Sequence, residues 1–428
     1  MEVPEIFDRL LENLRVGDAS TTIAVRRDQI TKALNKDFRS VEGSIANRLM
    51  VGSYGRHTAI RGVSDLDMIF ILPAALRSSY ENESGPRRIL TRVKDALKAR
   101  YPNTDIRVDQ CVVRVQFTSN KFKFEVQPAF ENVDGSFDYP DTKAQDWKTT
   151  KPRAEIAATK DCNDRTSKNM RYLARMVRAW KDANGVVMGG LLIDTLVYRF
   201  FSTTTNYDGK GTLWFHLMVR DFFEFLADEP DKDYYLALGS NQRVRVKQRF
   251  QSKAKKAHKR CLEAIALEGK ALANKKWREV FGTAVPLAVS KSARAFTDTE
   301  EFIENQYPVD IGRSVTIDCR VTQNGWRRAS LREMLQNRSP LLPNNELDFT
   351  ITECDVPRPY DVRWKVLNRG DEAERRDEIR GQIISSNPPG ARHERATFRG
   401  SHIVECFVIK DGIVVARDAI DVPISDSP

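Results

Sequence analysis

Cysteine and histidine are scarce in this sequence, six and five in 428 residues. The cysteines (Cys111, Cys162, Cys261, Cys319, Cys354 and Cys406) are scattered, and no two form a Cys-x-x-Cys pair. Neither a zinc site nor a disulfide framework is indicated, and most of these thiols are expected as buried apolar fillers. The histidines show no metal-ligand spacing either. Long apolar runs are also missing, and no basic-then-apolar leader follows Met1. The expectation is a cytoplasmic chain with no membrane partner. Internal repeats are absent.

Lysine and arginine are plentiful. They number 69 against 59 acidic residues, a net charge of +10. That excess suits a protein handling polyanions, nucleotides or nucleic acid; a moderately basic surface fits almost as well. Hydrophobic content of 41% is that of a globular protein, and the length suits two or three domains.

The most informative stretch is Gly52-Ser53-Tyr54-Gly55-Arg56-His57-Thr58, followed by Ser64-Asp65-Leu66-Asp67. Met68–Leu72 is a short apolar run closed by Pro73, which predicts a buried strand. Asp65 and Asp67 stand at its entrance, two residues apart, so in an extended chain they share a face. Neighbouring carboxylates repel unless a cation neutralises them, and Mg²⁺ favours carboxylate and phosphate oxygens. A Gly-Ser turn with a second glycine can offer backbone N–H groups to a phosphate, with Arg56 as counter-charge. A lone Gly-Ser is an ordinary turn, and a lone Asp-x-Asp is an ordinary solvated loop. Together in one short span they are the equipment of two-metal nucleotidyl transfer.

Further along, Phe122, Phe124 and Val126 alternate with Lys123, Glu125 and Gln127. This predicts a strand, ended by Pro128, with Glu125 on the polar face. Glu125 is either a surface glutamate on an edge strand or, if this strand lies beside Met68–Leu72, the third member of a carboxylate cluster. Residues 138–152 read as loop. On a helix predicted over 169–184, Arg171, Arg175 and Arg178 form a basic stripe extended by Lys181. It is a solvated face or a clamp for a triphosphate. Residues 243–272 read as one long basic helix. Beyond residue 308 the texture turns to β alternation, with turn signals at Asn368-Arg369-Gly370 and Pro388-Pro389-Gly390.

The motifs Gly52-Ser53-Tyr54-Gly55-Arg56-x-Thr58, Ser64-Asp65-Leu66-Asp67, Phe124-Glu125-Val126-Gln127-Pro128, Arg178-Ala179-Trp180-Lys181 and Leu238-Gly239-Ser240-Asn241-Gln242 resemble those of the CD-NTase enzymes. These are bacterial relatives of cyclic GMP-AMP synthase and oligoadenylate synthase, in the polymerase-β-like nucleotidyltransferase superfamily. The resemblance implies an α+β fold: a catalytic core over 1–165, a helical lobe over 166–290, a linker over 291–308 and a mostly β domain over 309–428. It implies an enzyme that makes a cyclic di- or oligonucleotide second messenger from ATP and other ribonucleoside triphosphates. The implied cofactor is two Mg²⁺ ions, with Mn²⁺ as a substitute, and the implied setting is anti-phage signalling through a downstream effector.

By position, Asp65, Asp67 and Glu125 would be catalytic and hold the metals. Gly52, Ser53, Arg56, Arg178 and Lys181 would contact the nucleotide. Two departures stand out: glutamate at 125, where relatives commonly carry aspartate, and Gly190-Leu191, where they often carry serine and tyrosine. The C-terminal part resembles a sensor-like domain fused to some of these enzymes, with Trp364, Arg380 and His402 as candidate ligand contacts. His402 reads equally as a structural histidine. The alternatives to second-messenger synthesis are nucleotidyl transfer to a protein or RNA end, and a ligand-sensing scaffold without activity. Binding of nucleic acid is not required by the first reading.

Overall fold

The computed structural model describes residues 3–17, 19–117, 122–286, 300–322, 329–337, 339–368, 372–373, 376, 378–385 and 390–425. Residues 291–299 of the expected linker and the turn residues Arg369, Gly370, Pro388 and Pro389 lie outside these. Packing divides the chain into two compact units: Met1–Ala179 with Met188–Pro286, and Trp180–Val187 with Leu287–Pro428.

The first unit is built on a mixed sheet. Its strands are β1 (Arg48–Met50), β2 (Asp65–Ile71), β3 (Asp105–Val108), β4 (Val113–Gln116), β5 (Lys123–Glu131), β6 (Phe137–Asp141) and β7 (Asp146–Thr150). The order is β1-β2-β5-β4-β3, with β6 on β5 and β7 on β6. β2 and β5 run parallel, and β1, β4 and β3 pair antiparallel to their neighbours. Leu66, Met68 and Phe70 alternate along β2 and are buried with Phe124, Val126, Val113 and Val115. The helices Ala19–Arg39 and Gly85–Arg100 supply Ile30, Leu34, Ile89, Leu90 and Val93 to the same cluster. Their helical spacing gives each an apolar stripe that must be covered. One sheet face is thereby committed to the core, and the polar alternates are left on the other.

Three local differences from the sequence reading have physical causes. Pro128 does not end its strand. β4 stops opposite Val126 and β6 starts opposite Phe130, so a residue that cannot donate sits in the gap between them. Residues 137–150 form the β6–β7 hairpin, in which Pro140 faces Trp147 beyond the part of β6 that pairs with β5. Residues 243–245 form strand β9, paired with β8 (Tyr234–Leu236), and the basic helix starts only at Gln251. The turn between β8 and β9 uses positive φ at Gly239 and Asn241.

The rest of this unit is helical. Phe7 of the N-terminal helix Val3–Asn13 meets Phe215 and Trp277 edge-on, at 6.2 and 5.1 Å between ring centroids. Among the described residues, no helix is long and apolar enough to cross a membrane.

The second unit is a β-sandwich. One sheet has the order β11 (Ala329–Ser330), β10 (Val315–Thr322), β12 (Glu346–Cys354), β15 (Ala391–Arg395). The other has β14 (Arg380–Ser385), β13 (Asp361–Leu367), β16 (Gly400–Lys410), β17 (Ile413–Ile424). Ile317, Cys319, Leu347 and Phe349 of the first face Trp364, Val404, Cys406 and Ile420 of the second across one core. The inner faces of the two sheets thus share one core.

Candidate active site

Asp65 and Asp67 open β2, whose apolar alternates are locked into the core, so the pleat forces both carboxylates to the opposite face. β5 lies parallel beside it, pairing Asp65 with Lys123 and Asp67 with Glu125. In-register neighbours share a face. Acids from two segments distant along the chain therefore occupy one patch.

Gly52 abuts that patch. Its φ is +61°, and a Cβ there would come within 1.9 Å of Asp67 Oδ2, so no side chain fits without displacing the carboxylate. The Val51 N–H donates to the Asp67 carbonyl at 3.0 Å, and the Ser53 carbonyl accepts from Thr58 and Ala59 at 2.9 and 3.1 Å. These bonds pin the Gly52-Ser53 turn beside the acids.

Cations already stand among the carboxylates. Lys123 Nζ lies 3.1 Å from Asp65 Oδ1 and 3.6 Å from Glu125 Oε1. Arg114 Nε donates to Glu125 Oε1 at 3.1 Å. Among the described residues, no trio of acidic, histidine or cysteine side chains converges closely enough to hold a metal as it stands. The donor chemistry nevertheless fits a hard divalent cation: carboxylate oxygens on one face, with an ammonium lodged against two of them.

Arg56 and Arg178 are placed elsewhere, together. Asp194 Oδ2 accepts from Arg56 Nε at 2.7 Å, Arg178 Nη2 at 3.0 Å and the Thr58 hydroxyl at 3.0 Å, and its Oδ1 accepts from Arg178 Nη1 at 2.7 Å. Asp194 is fully buried. Burial alone would raise its pKa; Arg178 and Arg56 more than reverse this and hold it below the usual carboxylate range. Glu155 takes Arg56 Nη1 at 3.3 Å and the Ser240 hydroxyl at 3.2 Å, and burial keeps its pKa raised. Arg171 and Arg175 donate to the carbonyls of Arg56 and His57 at 3.2 and 3.1 Å. With His57 and Lys168 they line a cavity of about 820 Å³.

Lys181 belongs to the second unit, where it donates to the Ile311 carbonyl at 3.3 Å and pairs with Asp182 at 3.2 Å. Trp364 is fully buried between the sheets. Arg380 makes a bidentate pair with Glu394, at 2.7 and 3.0 Å. His402 is buried, its Nε2–H reaching the Phe398 carbonyl at 3.2 Å, and burial pushes its pKa down. Arg380 and His402 line one cavity of about 40 Å³, and Trp364 does not. That volume holds a few waters, far short of the roughly 300 Å³ at the lower end for ligand pockets.

Lys123, Asp194 and Glu155 were not singled out from the sequence. A signal existed for two of them. Lys123 alternates with Glu125, and Asp194 is a lone acid inside the apolar run Leu191–Phe201. A charge in such a run is buried and must be paired.

Comparison with known proteins agrees with this architecture. Residues 1–163 match the Second Messenger Oligonucleotide or Dinucleotide Synthetase domain, and residues 297–425 match the Adenylyl/Guanylyl and SMODS C-terminal sensor domain. A Bacillus cereus (strain VD146) protein named "Probable cyclic nucleotide synthase" is 22% identical over 214 residues, 43% of this chain and 63% of that protein. This chain thus spans less than two thirds of that relative. Among solved structures, the E. coli MS115-1 CdnC:HORMA-deltaN complex aligns with a TM-score of 0.53 at 12% identity, over 67% of this chain and 98% of that one. A likeness at that identity speaks for the fold alone, a mixed sheet braced by helices. The two domain matches together support a CD-NTase with a C-terminal sensor domain.

Proposed function

We propose that this chain is a divalent-metal-dependent nucleotidyltransferase that joins ribonucleoside triphosphates, ATP among them, into a cyclic di- or oligonucleotide second messenger. Its setting is bacterial anti-phage signalling through a downstream effector. The observation that carries this reading is the register of β2 on β5, which sets Glu125 beside Asp67 with Asp65 on the same face. The match to the synthetase domain over residues 1–163 supports it.

Asp65, Asp67 and Glu125 would hold Mg²⁺ or Mn²⁺. Divalent cations bound there would lower the pKa of a ribose hydroxyl and neutralise charge on the departing pyrophosphate. The chain's own residues supply the rest. Glu125 would accept the proton of an attacking hydroxyl. Gly52, with no side chain, lets the main chain approach the acids, and Ser53, next to it, would contact the donor triphosphate. Arg56 and Arg178, joined through Asp194, brace the turn that carries both.

The test is incubation of the full chain with the four ribonucleoside triphosphates and Mg²⁺ or Mn²⁺, read by mass spectrometry. Phosphatase-resistant products from nucleotides alone are expected, and none from Asp67→Asn. Label appearing only on an added protein or RNA would favour transfer to a macromolecule. No turnover of any nucleotide would leave the sensing scaffold.

A further inference from the structure

The acidic face carries a cation of its own. Lys123 stands two residues before Glu125, so the pleat places it on the same face, and the register places it opposite Asp65. Its Nζ lies 3.1 Å from Asp65 Oδ1 and 3.6 Å from Glu125 Oε1, and the three side chains keep 20%, 28% and 19% of their surface exposed. Glu125 Oε1 is also taken by Arg114, which is anchored in turn to Asp109 at 2.6 Å. The two cations differ in kind. Arg114 is a planar fork shared between Glu125 and Asp109, and it is 46% exposed. Lys123 is a point charge on a flexible four-carbon stem, at the edge of water.

Three carboxylates on one strand pair repel one another. We propose that Lys123 is a built-in counter-ion. It holds Asp65 and Glu125 on one face in the metal-free chain, competes with the divalent cation for them, and swings off as the metal enters. The proposal rests on the metal-binding reading above. It makes Lys123 a positioning residue, and it predicts that the wild-type face binds metal more weakly than its acids alone would.

The experiment is a Mn²⁺ titration of the full, nucleotide-free chain, following the electron paramagnetic resonance signal of free Mn²⁺. Lys123→Met is expected to bind about tenfold more tightly than wild type or better, since a like charge a few ångströms from the metal is removed. Lys123→Arg, which keeps the charge, should stay near wild type. With chelator present, Lys123→Met should melt below wild type and recover on adding Mn²⁺. A merely structural lysine would loosen the site on removal, so equal or weaker binding by Lys123→Met overturns the proposal. If that variant fails to fold, Lys123→Gln is read in the same way. Asp67→Asn separates the two layers. If it loses Mn²⁺ while Lys123→Met binds like wild type, only the counter-ion role falls. If Asp67→Asn binds like wild type, or no variant binds at all, the metal-binding reading falls with it.

Discussion

Two kinds of carboxylate can be compared within this chain. Asp194 in the first unit and Glu405 in the second are buried, and each is gripped by two cations. Arg56 and Arg178 hold Asp194, while Arg417 and Lys365 hold Glu405. Glu125 is likewise held by two cations, Arg114 and Lys123, but it is part-exposed. Pairing therefore does not separate the buried structural acids from the one proposed to hold metal. Exchangeability does. A buried guanidinium cannot leave its carboxylate without stranding both charges, whereas an ammonium at the water's edge can be traded for another cation.

The sharpest way to break this comparison is to neutralise one member of each class. Asp67→Asn should lower product formation by about a thousandfold or more, the scale at which loss of metal-held charge stabilisation is felt, while its thermal melt stays close to wild type. Product yield and circular dichroism melts read the two halves, and near-normal turnover would end the assignment.

Asp194→Ala should do the reverse. It strands two buried guanidinium groups and should cost about 3–5 kcal/mol in denaturant unfolding. Wild-type stability in that variant would mean the network is not a brace. Gly52→Ala falls between the classes. A methyl at positive φ against Asp67 should cost on the order of 1–3 kcal/mol, and should depress synthesis by more than its stability loss explains.

The smallest effects concern pH, and they run in opposite directions. Burial alone would raise the pKa of Glu405, but Arg417 and Lys365 bring it down to about 2, from an ordinary 4.5. Its contribution to stability is therefore complete above pH 4.5 and lost as pH falls toward 2. Glu405→Gln should flatten that acid limb in melts taken across the range. Asp182 is the converse. Burial raises its pKa to about 6, from 3.8, against the pull of Lys181. The folded chain binds this proton more tightly than the unfolded one, so stability drains away as pH rises from 3.8 through 6. Asp182→Asn should remove that slope.

Much of the acidic patch was legible in the sequence, because strand periodicity is a local property. Asp65 and Asp67 had to share a face, and Glu125 had to oppose Phe124 and Val126. What alternation could not supply was the partner. That β5 lies parallel to β2, with Glu125 level with Asp67, depends on contacts between segments far apart in the chain. The same limit hid the destination of Arg178. On a helix surface a basic stripe looks solvated or ligand-facing, and only the packing of Asp194 against it shows a buried pair. Hairpin β6–β7 escaped notice because Pro140 is a breaker by local rules, and only its position beyond β5 makes it harmless. In the C-terminal unit the sequence offered Trp364 as a candidate ligand contact; it lies on β13 and is fully buried between the sheets, a placement that depends on the packing of one sheet on the other.

The segment Trp180–Val187 is counted with the second compact unit although it precedes that unit by a hundred residues of chain. Val187 shares a cluster with Ile303, Ile311, Phe407 and Val414, and Gly185 has room for no side chain against the Arg417 carbonyl. A protein engineer who severs the polypeptide after Pro286, hoping to harvest a free-standing synthetase, would orphan those eight residues. Val187 would then lose the packing partners contributed by the discarded half, and the excised fragment should be sticky. Co-expressing both halves as separate polypeptides is the gentler dissection.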